Sequence, residues 1–252
     1  MGIYLNPDSS KFEEAVNSDI YIDKTGLLIY TNSVLHTMQK YICISRPRRF
    51  GKSIAANMLT AYYSRGCDAE QLFSQFEISK DMDFKKYLNQ YDTISVNMQE
   101  ILSRSHNVCE LISRFGRLII RDLKNEYPDV DYFDDTDVIE CMQDVYAQKK
   151  QPFIIIIDEW DCIIRNSDDE KLVHQYLQFL HSLFKSEEAK SFLALAYITG
   201  ILPIKKIKDE SALNNFREYT MLRSKPITEF YGFTEEEVKE LCRKYDMDFE
   251  AT

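Results

Sequence analysis

Short apolar runs alternate along this chain with longer stretches in which apolar residues recur every three or four positions. That alternation predicts an α/β fold, a mostly parallel sheet with helices on both faces. Strand-like runs lie near residues 41–44, 93–98, 153–158 and 192–198. The third is the most telling. Phe153–Ile157 is an unbroken run of large apolar residues, the mark of a strand covered on both faces. Helical spacing marks Lys11–Val16, Leu27–Thr37, a run from Ile54 to Tyr63, Glu100–Tyr127, Asp137–Gln148 and Asp168–Lys185. Gly116 is the weakest point of the long stretch. Met221–Ile227 is expected to return toward the sheet. Thr234 followed by Glu237 reads as a capping box that opens a helix through Val238, Leu241 and Tyr245.

Composition narrows the classes. A chain of 252 residues holds one large α/β domain, or one domain and the start of another. A net charge of −10 argues against a generic nucleic-acid coat, although Arg46, Arg48 and Arg49 make a local basic patch. The six cysteines form no C-x-x-C and there are only four histidines, so structural zinc is not expected. Asp129, Asp131, Asp134 and Asp135 lack calcium-loop spacing and read as a solvated loop. With no signal peptide and no long apolar span, a cytoplasmic protein without membrane contact is expected.

The candidate chemistry starts at Ile42–Met58, which reads strand, tight polar turn, helix. The turn ends in Gly51-Lys52-Ser53, the second half of the phosphate-loop pattern G-x-x-x-x-G-K-[ST]. Arg46 replaces the first Gly, and Pro47 stiffens the turn in its place. Gly51 lets loop amides approach phosphates, Lys52 brings a point charge to the β- and γ-phosphates, and the Ser53 hydroxyl is suited to Mg²⁺. The competing reading is a surface turn with an accidental G-K-S.

A second cluster follows the buried-type strand, at Asp158-Glu159-Trp160-Asp161. Ligands of open α/β sheets bind beyond the carboxyl ends of the strands. Asp158 is thus suited to hold Mg²⁺, and Glu159 to polarise an attacking water. Asp161 reads either as magnesium support or as a cap of the next helix, and Trp160 as packing or an adenine stack. Thr199 ends the strand at 192–198 and reads as a sensor of water or γ-phosphate, or as a plain strand-end turn. Asp23 and Lys24 read as nucleotide contacts or as local caps and pairs.

Taken together these segments resemble the AAA-ATPase-like family, whose members often carry a following restriction-endonuclease-like domain. The resemblance rests on Tyr21-Ile22-Asp23-Lys24-Thr25, Ser45 through Ser53, Asp158-Glu159, Ile198-Thr199-Gly200-Ile201, Leu213-Asn214-Asn215 and Tyr231-Gly232-Phe233-Thr234, in that order. It implies a P-loop NTPase fold of the additional-strand (AAA-like) type that uses ATP and Mg²⁺. It carries over Arg46, Pro47, Arg48, Arg49, Phe50, Gly51, Lys52 and Ser53 as nucleotide-binding residues. Lys52, Asp158, Glu159 and Thr199 become catalytic residues, and Ser53 and Asp158 metal residues. Arg46 is the family's usual residue at its position. Residues 1–228 are expected to form the ATPase domain with an N-terminal extension, and 229–252 the start of a helical lid or following domain. The nuclease-like half is expected to be missing from these residues, so nuclease chemistry is not carried over.

The leading expectation is Mg²⁺-dependent hydrolysis of ATP to ADP and phosphate. The alternatives are a nucleotide-gated interaction module with little turnover, self-assembling or served by a neighbour's arginine, and a nucleic-acid-binding regulator. The last rests on the loop arginines and on Lys205, Lys206 and Lys208.

Overall fold

The computed structural model describes residues 2–167, 169–206, 210–223 and 225–249, without the side chains of Lys206, Glu210 and Ser211. Its centre is a parallel sheet of β1 (Tyr41–Ser45), β2 (Asp92–Asn97), β3 (Phe153–Asp158), β4 (Leu193–Gly200) and β5 (Arg217–Tyr219) in the order β2-β3-β4-β1-β5. β4 is the additional strand, inserted between the strand that feeds the phosphate loop and the strand that ends in Asp158.

The apolar run of β3 shows why the sheet is covered on both sides. Phe153, Ile155 and Ile157 enter one core layer, and Ile154 and Ile156 the other, all of them solvent-inaccessible. A period of two delivers alternate side chains to opposite faces. Each fully buried isoleucine stabilises the fold by about 1.5–3 kcal/mol. The first layer is covered by the helices Val108–Glu126, Val138–Lys149 and Glu170–Lys185. The second is covered by Gly26–Val34 and Lys52–Tyr63, with Phe73, Phe76 and Phe84 buried among them.

Register sets up the site. β2 and β3 align Asn97 with Asp158, β3 and β4 align Ile157 with Ile198, and β1 and β4 align Ser45 with Gly200. The polar ends of these strands therefore form one row along the carboxyl edge of the sheet. At the other end, residues near the N-terminus run along β2. Asn6 N–H donates to the Thr93 carbonyl at 2.8 Å, and Ser95 N–H to the Tyr4 carbonyl at 2.9 Å. Asp122 holds the same segment by accepting from the Tyr4 amide at 2.8 Å.

Three expectations are corrected. Glu100–Tyr127 is two helices, Met98–Ser103 and Val108–Glu126, because Arg104–Asn107 offers no apolar face and Asn107 caps the second by accepting from the Glu110 amide at 2.9 Å. Gly116 lies buried inside that second helix rather than breaking it. The fifth strand is Arg217–Tyr219, and the described residues of 221–227 form none. Leu27–Thr37 ends its helix at Val34. Asp168, the expected start of the next-to-last long helix, lies outside the described residues; the helix is Glu170–Lys185, capped by Asp169. The Thr234–Glu237 capping box is present in both halves. Among the described residues no helix is long and apolar enough to cross a membrane.

Candidate nucleotide site

The phosphate loop leaves β1 buried and turns on left-handed residues. Arg49 has φ +68° and Gly51 φ +75°, and open space surrounds the Cβ position of Gly51. Gly51 adopts that backbone without strain and leaves room for a phosphate beside the first helical amides. The helix Lys52–Tyr63 starts directly after it. Lys52 is folded back onto the loop, its Nζ donating to the Pro47 carbonyl at 2.9 Å. Burial pushes the Lys52 ammonium down from its ordinary value, against the opposing charges of Glu159, Asp158 and Asp161.

Ser53 joins the two halves of the site. Its Oγ donates to Asp158 Oδ2 at 2.6 Å. Thr199 Oγ1 donates to the other oxygen, Asp158 Oδ1, which also accepts the Glu159 amide at 3.0 Å. Asn97 Nδ2 lies 3.4 Å from Asp158 Oδ2. Asp158 thus sits buried at the centre of the row, held by donors from β2, β4 and the loop helix.

Glu159 takes a left-handed backbone, φ +55°, and its carboxylate is paired with Arg165. Arg165 Nε also lies 3.1 Å from Asp161 Oδ2, a charge contact without hydrogen-bond alignment. Asp161 resolves into a third role that neither expectation named. Fully buried, its Oδ2 accepts from the Ile201 and Leu202 amides at 3.0 and 2.7 Å and ties the end of β3 to the end of β4. It stands at a helix N-cap position without a side-chain capping bond. Trp160 is core. Gly200 lets these elements close together, since a Cβ there would lie 2.7 Å from Asp161 Oδ1 and 2.8 Å from Trp160 Nε1.

The loop arginines separate. Arg48 and Arg49 are exposed, whereas Arg46 is buried beneath Tyr231, its guanidinium 5.8 Å from the ring centroid. Burial lowers its pKa. Phe50 is engaged from the same side, its carbonyl accepting from Gly232 N–H at 3.2 Å. Asp23 and Lys24 both tie distant parts of the chain together. Asp23 accepts the Thr25 and Glu77 amides at 2.8 and 2.7 Å, and Lys24 pairs with Glu237 at 2.5 Å. Lys24 also borders an apolar cleft of about 180 Å³, lined by Ile20, Tyr21, Ile22, Gly51, Met58 and Phe233 among others.

The sequence reading missed Asn97 and Arg165. Asn97 carries the same signal that singled out Thr199, a polar residue ending a strand beside Asp158. Arg165 stands four residues after Asp161 on a helix, the spacing of a charge pair.

The sequence profile of the AAA-ATPase-like family, described as predicted AAA-ATPases, matches residues 9–208. The chain belongs to that family. The AAA-ATPase-like chain matches no curated protein sequence. It also resembles solved structures of two proteins from Aeropyrum pernix. The ORC1 protein in complex with DNA gives a TM-score of 0.49 at 12% identity, over 98% of this chain and 55% of that one. The ORC2 protein in its ADPNP-ADP complexes gives 0.46 at 12% identity, over 90% and 54%. The chain spans about half the length of these structures. Lys208, part of the expected basic loop, lies outside the described residues.

Proposed function

We propose that this chain binds ATP with Mg²⁺ and hydrolyses it. The observation that carries the reading is the 2.6 Å contact between Ser53 and Asp158. It joins a phosphate-loop helix to a strand end bearing two consecutive carboxylates. A hydroxyl and one carboxylate are hard oxygen donors, and Mg²⁺ is usually bound by one or two such groups together with substrate phosphates and water. Ser53 and Asp158 would hold it, and it would supply positive charge against the developing charge of the triphosphate.

The chain's own residues supply the rest. Lys52 exchanges the Pro47 carbonyl for a phosphate oxygen. The amides after Gly51 point at the same anion. The base of the nucleotide enters the apolar cleft between Ile20–Ile22 and Phe233. Glu159 orients the attacking water and takes its proton once its carboxylate leaves Arg165, and Thr199 lies within the same row for contact with the γ-phosphate. Titration calorimetry with ATP tests the binding half. Lys52→Ala is expected to weaken binding by at least about 10-fold, through loss of a charge-assisted hydrogen bond. Equal affinity in parent and variant removes the phosphate-loop assignment.

A second reading is favoured by the Glu159–Arg165 pair, a nucleotide-gated module whose turnover is slow because its base is held. Arg165→Gln frees Glu159, so steady-state phosphate release should rise several-fold with unchanged ATP affinity. A fall in release would instead assign Arg165 a supporting part in hydrolysis.

A further inference from the structure

Two separate surfaces of the chain complement each other. The first is a groove of about 1030 Å³ along the outer strand β5, with none of residues 46–53 in its lining. Its rim carries Lys205, Arg217, Arg223 and Lys225, all exposed and none within an ion-pair distance of a carboxylate among the described residues. The one carboxylate in the lining, Glu218, is turned inward, accepting from Ser45 Oγ at 2.9 Å and from the Ile204 amide at 2.6 Å. Phe216 and Leu222 give the groove apolar surface, and Leu222 is 96% exposed.

The second surface is the loop between the helices Val108–Glu126 and Val138–Lys149. It lifts Phe133 to 89% exposure, in a segment with Asp129, Asp131, Asp134, Asp135 and Asp137. Lys149 and Lys124 pair with Asp129 and Asp135, which leaves Asp131, Asp134 and Asp137 without a cation among the described residues. The loop is also fixed. Gln148 holds the backbone of Asp131 on both sides, accepting its N–H at 3.1 Å and donating to its carbonyl at 2.8 Å. Asp144 accepts the Phe133 amide at 2.9 Å. An apolar residue presented on a braced loop loses little conformational freedom when it docks.

We infer that the basic groove beside β5 receives the acidic Phe133 loop of a second copy of this chain. A −10 chain concentrates unpaired cations in this groove, and its own acidic loop offers the matching sign around an aromatic anchor. The loop does not line the groove of its own molecule, whose lining comes from residues 203–228. The contact joins unlike surfaces, the loop of one copy in the groove of another. A single loop in a groove is small beside a standard interface, so association in the micromolar range is expected.

Sedimentation velocity over a concentration series tests this independently of nucleotide chemistry. The parent should associate with rising concentration and weaken as NaCl is raised from about 50 to 500 mM. Phe133→Ser, and separately Arg217→Glu with Arg223→Glu, should each lower the association constant by at least about 10-fold. These residues are exposed, and circular dichroism checks that the variants are folded. If the β5 variant is unfolded, Lys205→Glu with Lys225→Glu replaces it. Mixing the loop variant with the groove variant should restore one-to-one dimers and nothing larger, because each retains one working surface. A monomeric parent at about 200 μM, an unaffected Phe133→Ser, or a mixture that stays monomeric overturns the proposal. So does a single-stranded oligonucleotide that fills the groove of a monomeric parent, which would make a phosphate backbone the occupant.

Discussion

Two buried aspartates stand at opposite ends of the sheet, and they are completed differently. Asp92 opens β2 and is fully buried. It accepts from Asn6 Nδ2 at 2.7 Å and from the Tyr127 hydroxyl, and the Arg65 guanidinium lies 2.7 Å away. Arg65 is anchored in turn by Glu126 at 2.9 Å and by the Tyr127 ring. Asp158 closes β3, and its hydrogen bonds come from neutral donors, Ser53, Thr199, Asn97 and the Glu159 amide. One carboxylate carries its own cation and fastens the N-terminal segment to the sheet. The other is held by neutral donors on both oxygens, with no cation in contact among the described residues. The contrast is one of charge balance, since both are buried and both are well hydrogen-bonded.

Mutation should separate the two. Asp92→Ala takes the buried acceptor from Asn6 Nδ2 and the Tyr127 hydroxyl and leaves Arg65 to Glu126. Unfolding in urea should show a loss of about 2–4 kcal/mol, from buried donors left unsatisfied. Asp158→Asn keeps neutral hydrogen bonding and should stay within about 1 kcal/mol of the parent, while losing magnesium dependence and turnover together. Equal destabilisation of the two variants would erase the distinction. Burial raises the Asp92 carboxyl above its ordinary value, opposed by Asn6, Tyr127 and Arg65, so the cation limits rather than abolishes the penalty of burying it.

The neighbours of Asp158 sharpen the contrast further. Glu159→Gln should bind ATP as the parent does and lose turnover by about 10²-fold, the size of a general-base contribution. Asp161→Ala should instead lower stability by about 1–3 kcal/mol, because the amides of Ile201 and Leu202 lose their acceptor. Its turnover should stay within about 10-fold of the parent. Survival of turnover in Glu159→Gln with its disappearance in Asp161→Ala, at unchanged binding, would move the catalytic role to Asp161.

The smallest expected effect is on the alkaline limb of binding. Lys52 is held below its ordinary 10.5 by burial in the free chain, and a bound triphosphate favours the ammonium. The lysine's contribution to affinity is present below its free-state pKa and fades as pH rises through it. ATP affinity measured by calorimetry should therefore begin to fall below pH 10.5. A flat profile up to that pH would place the Lys52 ammonium outside the contact with ATP.

Local sequence determined the strand–loop–helix at Tyr41–Tyr63, the doubly buried β3 and the capping box at Thr234. Each follows from chemistry within a few neighbouring residues: a left-handed glycine before a helix, unbroken apolar character, a hydroxyl three positions before a glutamate. The same reading singled out Lys52, Ser53, Asp158 and Thr199, which the fold brings to one edge. Tertiary structure alone decided what those groups touch. That Asp161 braces the β4 end, that Arg165 holds Glu159 and that Arg46 lies under Tyr231 depend on strands far apart in sequence arriving in register. The strand Arg217–Tyr219 belongs with them, because three residues carry too little pattern of their own and become a strand by pairing with β1.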